Sequence, residues 1–133
     1  NSSSEESNLA YNLVNIRSIS DSKSEPYSEI MLEKNNKSFE SKSNGGGPVD
    51  AAFKAIEKIV GSNSKLQLYS VNNITDGTDS LGEVTVRIEK KGIIVNGIGS
   101  DTDIVIASAK AYLDAINKLN MKEKIVHPQL DHV

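Results

Sequence analysis

The sequence predicts an α+β fold built as a tandem βββα repeat: two three-stranded antiparallel sheets with two helices packed between them. Three observations carry this. Alternating apolar and polar runs come in threes. Each set is followed by a glycine-bearing break and then by apolar residues at helical spacing. The second half of the chain repeats the order of the first. One βββα unit cannot close its own apolar face, so the two units are expected to bury their helices against each other's sheets. The sheets' other faces or edges are left for a partner chain.

Residues 1–10 read as a linker, because Ser and Glu dominate and nothing is periodic. The domain occupies 11–133, divided into a unit over 11–61, a unit over 65–120 and a tail over 121–133. Tyr11 to Ile19 alternates as a strand with Val14 and Ile16 on one face, and Asp21 to Pro26 is a loop by composition. Tyr27 to Lys34 is the second strand, with Ile30 and Leu32 alternating. Asn35-Asn36 signals a tight hairpin turn, since Asn tolerates positive φ. Lys37 to Ser43 returns, carrying Phe39. Asn44-Gly45-Gly46-Gly47-Pro48 then breaks the pattern. Pro48 suits the first helical position, where its missing N–H costs nothing. Val49, Ala52, Phe53, Ile56 and Val60 follow at helical spacing, and Gly61 ends the helix.

The second unit opens with a strand from Leu66 to Ile74 and a loop from Thr75 to Leu81. Gly82 to Lys90 points Val84, Val86 and Ile88 inward and Glu83, Thr85, Arg87 and Glu89 outward. Lys90-Lys91-Gly92 turns the chain and Ile93 to Ile98 returns. A glycine-bearing turn from Gly97 leads into a helix with Val105, Ala109, Tyr112, Ile116 and Leu119 on one stripe. Asp101 or Asp103 caps its first turn. The segment from Met121 to Val133 is expected to run over the surface.

Composition removes several functions. The chain has 133 residues, 37% hydrophobic, 5% aromatic and without Trp, so the core rests on Val, Ile, Leu and Ala. The net charge is −3, and Arg17 and Arg87 are the only arginines. No cluster of positive charge exists for nucleic acid, which rewards counterion release. Zero cysteines exclude disulfides and thiolate metal sites, and fit a reducing compartment. No apolar run approaches the ~20 residues of a membrane helix, and the polar, acidic start carries no signal peptide. Asn1 in place of Met reads as an excised piece of a longer chain.

The glycine turn from Asn44 to Asp50 is the first candidate for binding. Its glycines allow close backbone approach, and the helix start offers free N–H groups to a phosphate or carboxylate. A plain strand-to-helix connector explains it as well. The turn from Gly97 to Asp103 is similar, but Thr102 replaces the third glycine of a dinucleotide fingerprint and Asp101 and Asp103 repel a pyrophosphate. Asp76, Asp79, Asp101 and Asp103 do not follow an EF-hand order and are better explained as turn and cap residues, so no metal site is expected. His127 and His132 sit in the tail at a spacing that suits no common metal pair, and a Ser-His-Asp triad would have to draw on that tail. No catalytic residue is assigned. Tyr69 either lines a pocket or fills the core.

Four segments together, Asn44-Gly-Gly-Gly-Pro-Val-Asp-Ala-Ala-Phe-Lys-Ala-Ile56, Leu66-Gln-Leu-Tyr-Ser70, Gly82-Glu-Val-Thr-Val86 and Gly97-Ile-Gly-Ser-Asp-Thr-Asp-Ile-Val-Ile-Ala-Ser108, resemble the C-terminal regulatory domain of 2-isopropylmalate synthase. The resemblance runs from about Tyr11 to Leu119. It implies a cytoplasmic parent acyltransferase that condenses acetyl-CoA with 2-oxoisovalerate in leucine biosynthesis. The parent's metal-dependent TIM barrel would lie N-terminal, with the divalent metal there and no cofactor in this non-catalytic chain. It further implies a homodimer that binds L-leucine between subunits and gives feedback inhibition. Carried over by position, the ligand residues are Gly45, Gly47, Val49 and Asp50, then Leu66, Leu68, Tyr69 and Asn73, then Gly97, Gly99, Asp101 and Ile104. The helix start after Gly47 would take the leucine carboxylate. Asp50 or strand carbonyls would take the ammonium, and Leu66, Leu68, Val49 and Ala52 the side chain. Gly46 departs from the acidic or polar residue that the family often has there. Three rival readings remain: the isoleucine-binding domain of citramalate synthase, a ligand-free dimerisation module, and a small hydrolase using His127.

Overall fold

A computed structural model describes residues 9–73 and 80–126. In chain order the elements are β1 (Asn12–Asp21), β2 (Ser24–Lys34), β3 (Lys37–Asn44), α1 (Pro48–Val60), β4 (Lys65–Asn73), β5 (Gly82–Lys90), β6 (Ile93–Asp101) and α2 (Ile104–Val126). Two antiparallel sheets result, ordered β1-β2-β3 and β4-β5-β6. The tandem βββα reading is therefore correct. Asp76, Asp79, His127 and His132 lie outside the described residues.

Local chemistry explains the hairpins. Asn35 and Asn36 take φ of 53° and 63°, and Lys91 and Gly92 take 50° and 82°, the paired positive angles of tight two-residue turns. The loop expected from Asp21 to Pro26 is instead another tight turn, and β2 resumes at Ser24. The Asp21 carboxylate organises it by accepting the Lys23 N–H at 2.8 Å and the Ser24 N–H at 2.9 Å. α1 starts at Pro48 as expected. It ends at Gly61, whose φ of 55° lets its N–H reach the Glu57 carbonyl at 2.8 Å.

The face assigned to β1 needs correction. A β-bulge falls between Leu13 and Asn15. Val14 is the extra residue and is 52% exposed, while Leu13 and Ile16 pack on the core. β4 carries the same bulge between Leu66 and Leu68. A bulge inserts one residue and so breaks strict alternation.

Burial follows the predicted stripes elsewhere. Ile30, Leu32, Val84, Val86 and Ile88 are buried beneath Ala52, Phe53 and Ile56 of α1 and Ala109, Tyr112, Ile116 and Leu119 of α2. The helices do not trade sheets, however. Each packs chiefly on the second and third strands of its own unit, and the two helices touch each other. The Phe53 and Tyr112 rings stack between them at 4.3 Å. Crossing contacts are fewer: α2 reaches β1, and Phe53 meets Tyr69 of β4 edge-on at 6.1 Å.

The strongest departure concerns β6. It runs on to Asp101 through the segment expected to be a turn. A Cβ on Gly97 would stand 2.8 Å from Ala115 Cβ, and one on Gly99 would stand 2.7 Å from Lys110 Cβ. The α2 backbone therefore lies directly on this strand, with Ala107, Ala111 and Ala115 facing the glycines. Side chains of α2 also occupy the strand's outer edge. Lys118 Nζ donates to the Asn96 carbonyl at 3.0 Å, and the Ile98 N–H donates to Asp114 at 3.0 Å. An edge so occupied is closed to further strands. α2 continues to Val126, so the segment from Met121 begins as helix, held by Lys90–Glu123 at 3.1 Å.

Candidate functional site

The glycine turn is organised by its own backbone. The Gly45 N–H donates to the Pro26 carbonyl at 3.1 Å, and a Cβ on Gly45 would meet Ala51 Cα at 2.7 Å. The Gly46 N–H donates to Asp50 Oδ2 at 2.8 Å, and Lys54 Nζ lies 3.1 Å from the same carboxylate. These contacts, the Gly46 bond first, hold the Asp50 carboxyl below its ordinary range. Gly47 is different. Its φ of −161° is extended backbone, and a Cβ there would meet nothing within 4 Å. Close approach thus belongs to Gly45, not to Gly47.

The two helix starts are unlike each other. Asp103 precedes α2 and accepts the Val105 N–H at 2.8 Å and the Ile106 N–H at 3.1 Å with one carboxylate oxygen. Gly47 occupies that position before α1 and makes no side-chain cap. Pro48 has no N–H, which leaves the first-turn amides of Val49 and Asp50 without a capping side chain. The same geometry that holds a carboxylate at α2 is open at α1.

β4 supplies the neighbouring surface. Tyr69 pairs with Val86 and Val71 with Val84, so these residues share the face that bears the core. Both helices favour other strands, and Leu66, Tyr69 and Val71 are left 50%, 37% and 43% exposed. Leu68 pairs with Arg87 and points to the opposite face, which separates it from the other candidates. The Tyr69 hydroxyl meets Ser108 Oγ of α2 at 2.6 Å, and its ring meets Phe53, one helical turn beyond Val49. Tyr69 thus ties β4 to both helices, neither wholly core nor wholly exposed.

The second cluster forms at one end of its sheet. Asn73 and Asp101 both pair with Gly82, and a Cβ on Gly82 would stand 3.2 Å from Ile104 Cδ1. Asp101 accepts the Asp103 N–H at 2.8 Å and lies 3.3 Å from Lys110, contacts that lower its pKa in that order of importance. Gly97 and Gly99 lie under α2, so they bear on the site through the helix they support. Phe53 and Ser108 also touch Tyr69, and Val71 extends its strip, although none of the three is among the ligand residues that the resemblance implies. Val71 follows Tyr69 at strand period and Phe53 follows Val49 at helical period, so both were readable. Ser108, buried within an apolar stripe, carried no such signal.

The site thus combines an uncapped helix start on α1 with an exposed apolar strip on β4, the two linked through the Phe53–Tyr69 ring contact. This suits a small zwitterion with an apolar side chain. Among the described residues, no three His, Cys, Asp or Glu side chains come together as a metal site. Among them also, no helix is long and apolar enough to cross a membrane.

The fold and the site define a small α+β module of two βββα units, and comparison with known proteins supplies its family. Residues 1–120 match the model of the LeuA allosteric (dimerisation) domain, and the chain belongs to that family. Its relatives are 2-isopropylmalate synthases. That of Nitrosospira multiformis is 54% identical over 120 residues, covering 90% of this chain and 24% of the relative. That of Chromobacterium violaceum is 55% identical over 115 residues, covering 86% and 22%. That of Methylococcus capsulatus is 52% identical over 121 residues, covering 91% and 24%. The chain spans about a quarter of the length of these relatives, and it matches their regulatory domain.

Proposed function

We propose that this chain is the leucine-sensing regulatory domain of a cytoplasmic 2-isopropylmalate synthase and works as a homodimer. The parent enzyme would join acetyl-CoA to 2-oxoisovalerate in an N-terminal barrel that holds the divalent metal, and this domain would turn the barrel down when leucine accumulates. The observation that carries the reading is the contrast between the helix starts: α2 is capped by its own Asp103 carboxylate, while α1 is uncapped and reaches the apolar strip of β4 through Phe53. A free amino acid would bring the missing carboxylate to the amides of Val49 and Asp50. Its ammonium would lie by the Asp50 carboxylate, and its side chain would cover Leu66, Tyr69 and Val71. Asn73, Asp101 and Ile104 would close the far end. Leu68 points away and takes no part. The strip is too exposed to enclose a ligand by itself, which favours a second copy as the other wall.

Calorimetric titration with leucine, isoleucine, lysine and glutamate tests this. Leucine is expected to bind and to raise the melting temperature, by roughly 2.7 kcal/mol of stability at a hundredfold excess over Kd. Lysine and glutamate should not, because a charged side chain would enter the strip unpaired. Preference for isoleucine would move the assignment to a citramalate synthase. No heat and no thermal shift with any of the four would leave a dimerisation module.

A further inference from the structure

The segment ahead of β1 is held by one side chain of α2. The Tyr11 N–H donates to Asn117 Oδ1 at 2.9 Å, and Asn117 Nδ2 donates to the Tyr11 carbonyl at 2.9 Å. A single amide thereby satisfies both backbone groups, as a neighbouring strand would. The Tyr11 ring is fixed as well, edge-on to Phe39 at 6.2 Å and with Lys34 Nζ 4.8 Å above its face. Leu9 and Ala10 continue along the same helix, lining with Asn120 and Lys124 a cavity of about 490 Å³.

The other half of α2 carries Ser108, bonded to Tyr69. Ser108 and Asn117 are nine residues apart, about 14 Å along a helix, a length over which a helix moves as a rod. One rod therefore touches the exposed strip of β4 at one end and the leading segment of the domain at the other.

We propose that Asn117 is a positioning residue through which α2 conveys leucine occupancy to the segment before β1, and so to the catalytic domain on that side. The proposal rests on the leucine reading above. A ligand on the strip alters the seating of Tyr69 against Ser108, α2 shifts against the first sheet, and the paired bonds of Asn117 carry Tyr11 with it. Coupling of this kind is a free energy between two sites and is measured as such.

The test uses the full-length synthase bearing this domain. Asn117→Ala is expected to keep turnover without leucine and leucine affinity within about twofold of wild type, while saturating leucine inhibits several-fold less. Asn120→Ala, in the same cavity wall, should keep full inhibition. Wild-type inhibition in Asn117→Ala would overturn the proposal and leave the paired bonds as mere docking. If Asn117→Ala does not fold, hydrogen exchange at the Tyr11 amide of the wild-type enzyme decides. Leucine should change its protection, and unchanged protection overturns the proposal. A wild-type enzyme that neither binds leucine nor is inhibited by it defeats the leucine reading and this inference together. Where the wild-type enzyme binds leucine and is inhibited by it, the leucine reading stands and the behaviour of Asn117 alone decides the coupling.

Discussion

Gly47 and Asp103 stand at the same place before the two helices, and the difference between them is one carboxylate. Asp103 satisfies two amides that Gly47 leaves open. Gly47→Asp should therefore cap α1 and stabilise the fold by a few tenths of a kcal/mol. It should also abolish leucine binding, because the new carboxylate occupies the ligand's place. Gly45→Val should behave differently, since its side chain collides with the α1 backbone at Ala51. Overpacking of this kind costs about 1–3 kcal/mol. Thermal unfolding with calorimetry separates the pair: one variant gains stability and loses ligand, the other loses stability. Tyr112 makes a further statement at this scale. Burial first, and the neighbouring Glu57 second, push its hydroxyl pKa up to about 12. The neutral form is favoured in the folded state, so this contribution is complete below the unfolded value near 10 and is lost as pH rises towards 12. Stability should fall through that window, and Tyr112→Phe should flatten the fall, as read by denaturant melts at stepped alkaline pH.

Among the elements, β6 and α2 form the closest pairing in the molecule. Gly97 and Gly99 remove the side chains that would hold the helix away, and Ala107, Ala111 and Ala115 do the same from the helix. A methyl at position 97 must lift α2 from the strand and strain the bonds of Lys118 and Asp114 to its edge. Gly97→Ala is expected to cost about 3 kcal/mol, the upper end of ordinary overpacking. The denaturant midpoint measures this, with Gly92→Ala in the β5–β6 turn as a comparison that meets no neighbour but carries an unfavourable positive φ. A Gly97→Ala domain as stable as wild type would mean that the helix moves away at little cost.

At the scale of the whole molecule, the two units are joined through the stacked rings of Phe53 and Tyr112 and the clasp of Asn117 on Tyr11. The edge of β6 is occupied by α2, whereas β4 keeps Leu66, Tyr69 and Val71 exposed on the core-bearing face, because α2 packs there on β5 and β6. An exposed apolar strip beside an incomplete site favours a second copy as its cover. Light scattering at tens of micromolar (an order-of-magnitude working range) should give twice the chain mass. Replacing both Leu66 and Val71 by Asp should shift the population to monomer while keeping the βββα fold by circular dichroism. A mutant pair that remains dimeric would locate the interface on another surface.

Much of the fold was legible because its signals are local. Asn35-Asn36 sets a turn by its tolerance of positive φ, Pro48 and Gly61 bound a helix by their own dihedral chemistry, and alternation in Val84, Val86 and Ile88 needs only the strand's period of two. The resemblance picked out Gly45 and Asp50, which sit together at the start of α1, and Tyr69, which reaches that helix only through Phe53. Other features depended on partners distant in the chain. The bulge at Val14 is defined by register against β2, and Leu68 turns from the strip because a like bulge precedes it. Gly97 and Gly99 read as the turn into the second helix, yet they lie within β6, where the backbone of α2 takes the space their missing side chains leave. Whether a cap is filled or open, and whether an amide clasps the leading segment, are facts of juxtaposition. Residue types determined the order and kind of the elements. Only the packing of one element on another decided which of their groups remain free to meet a ligand.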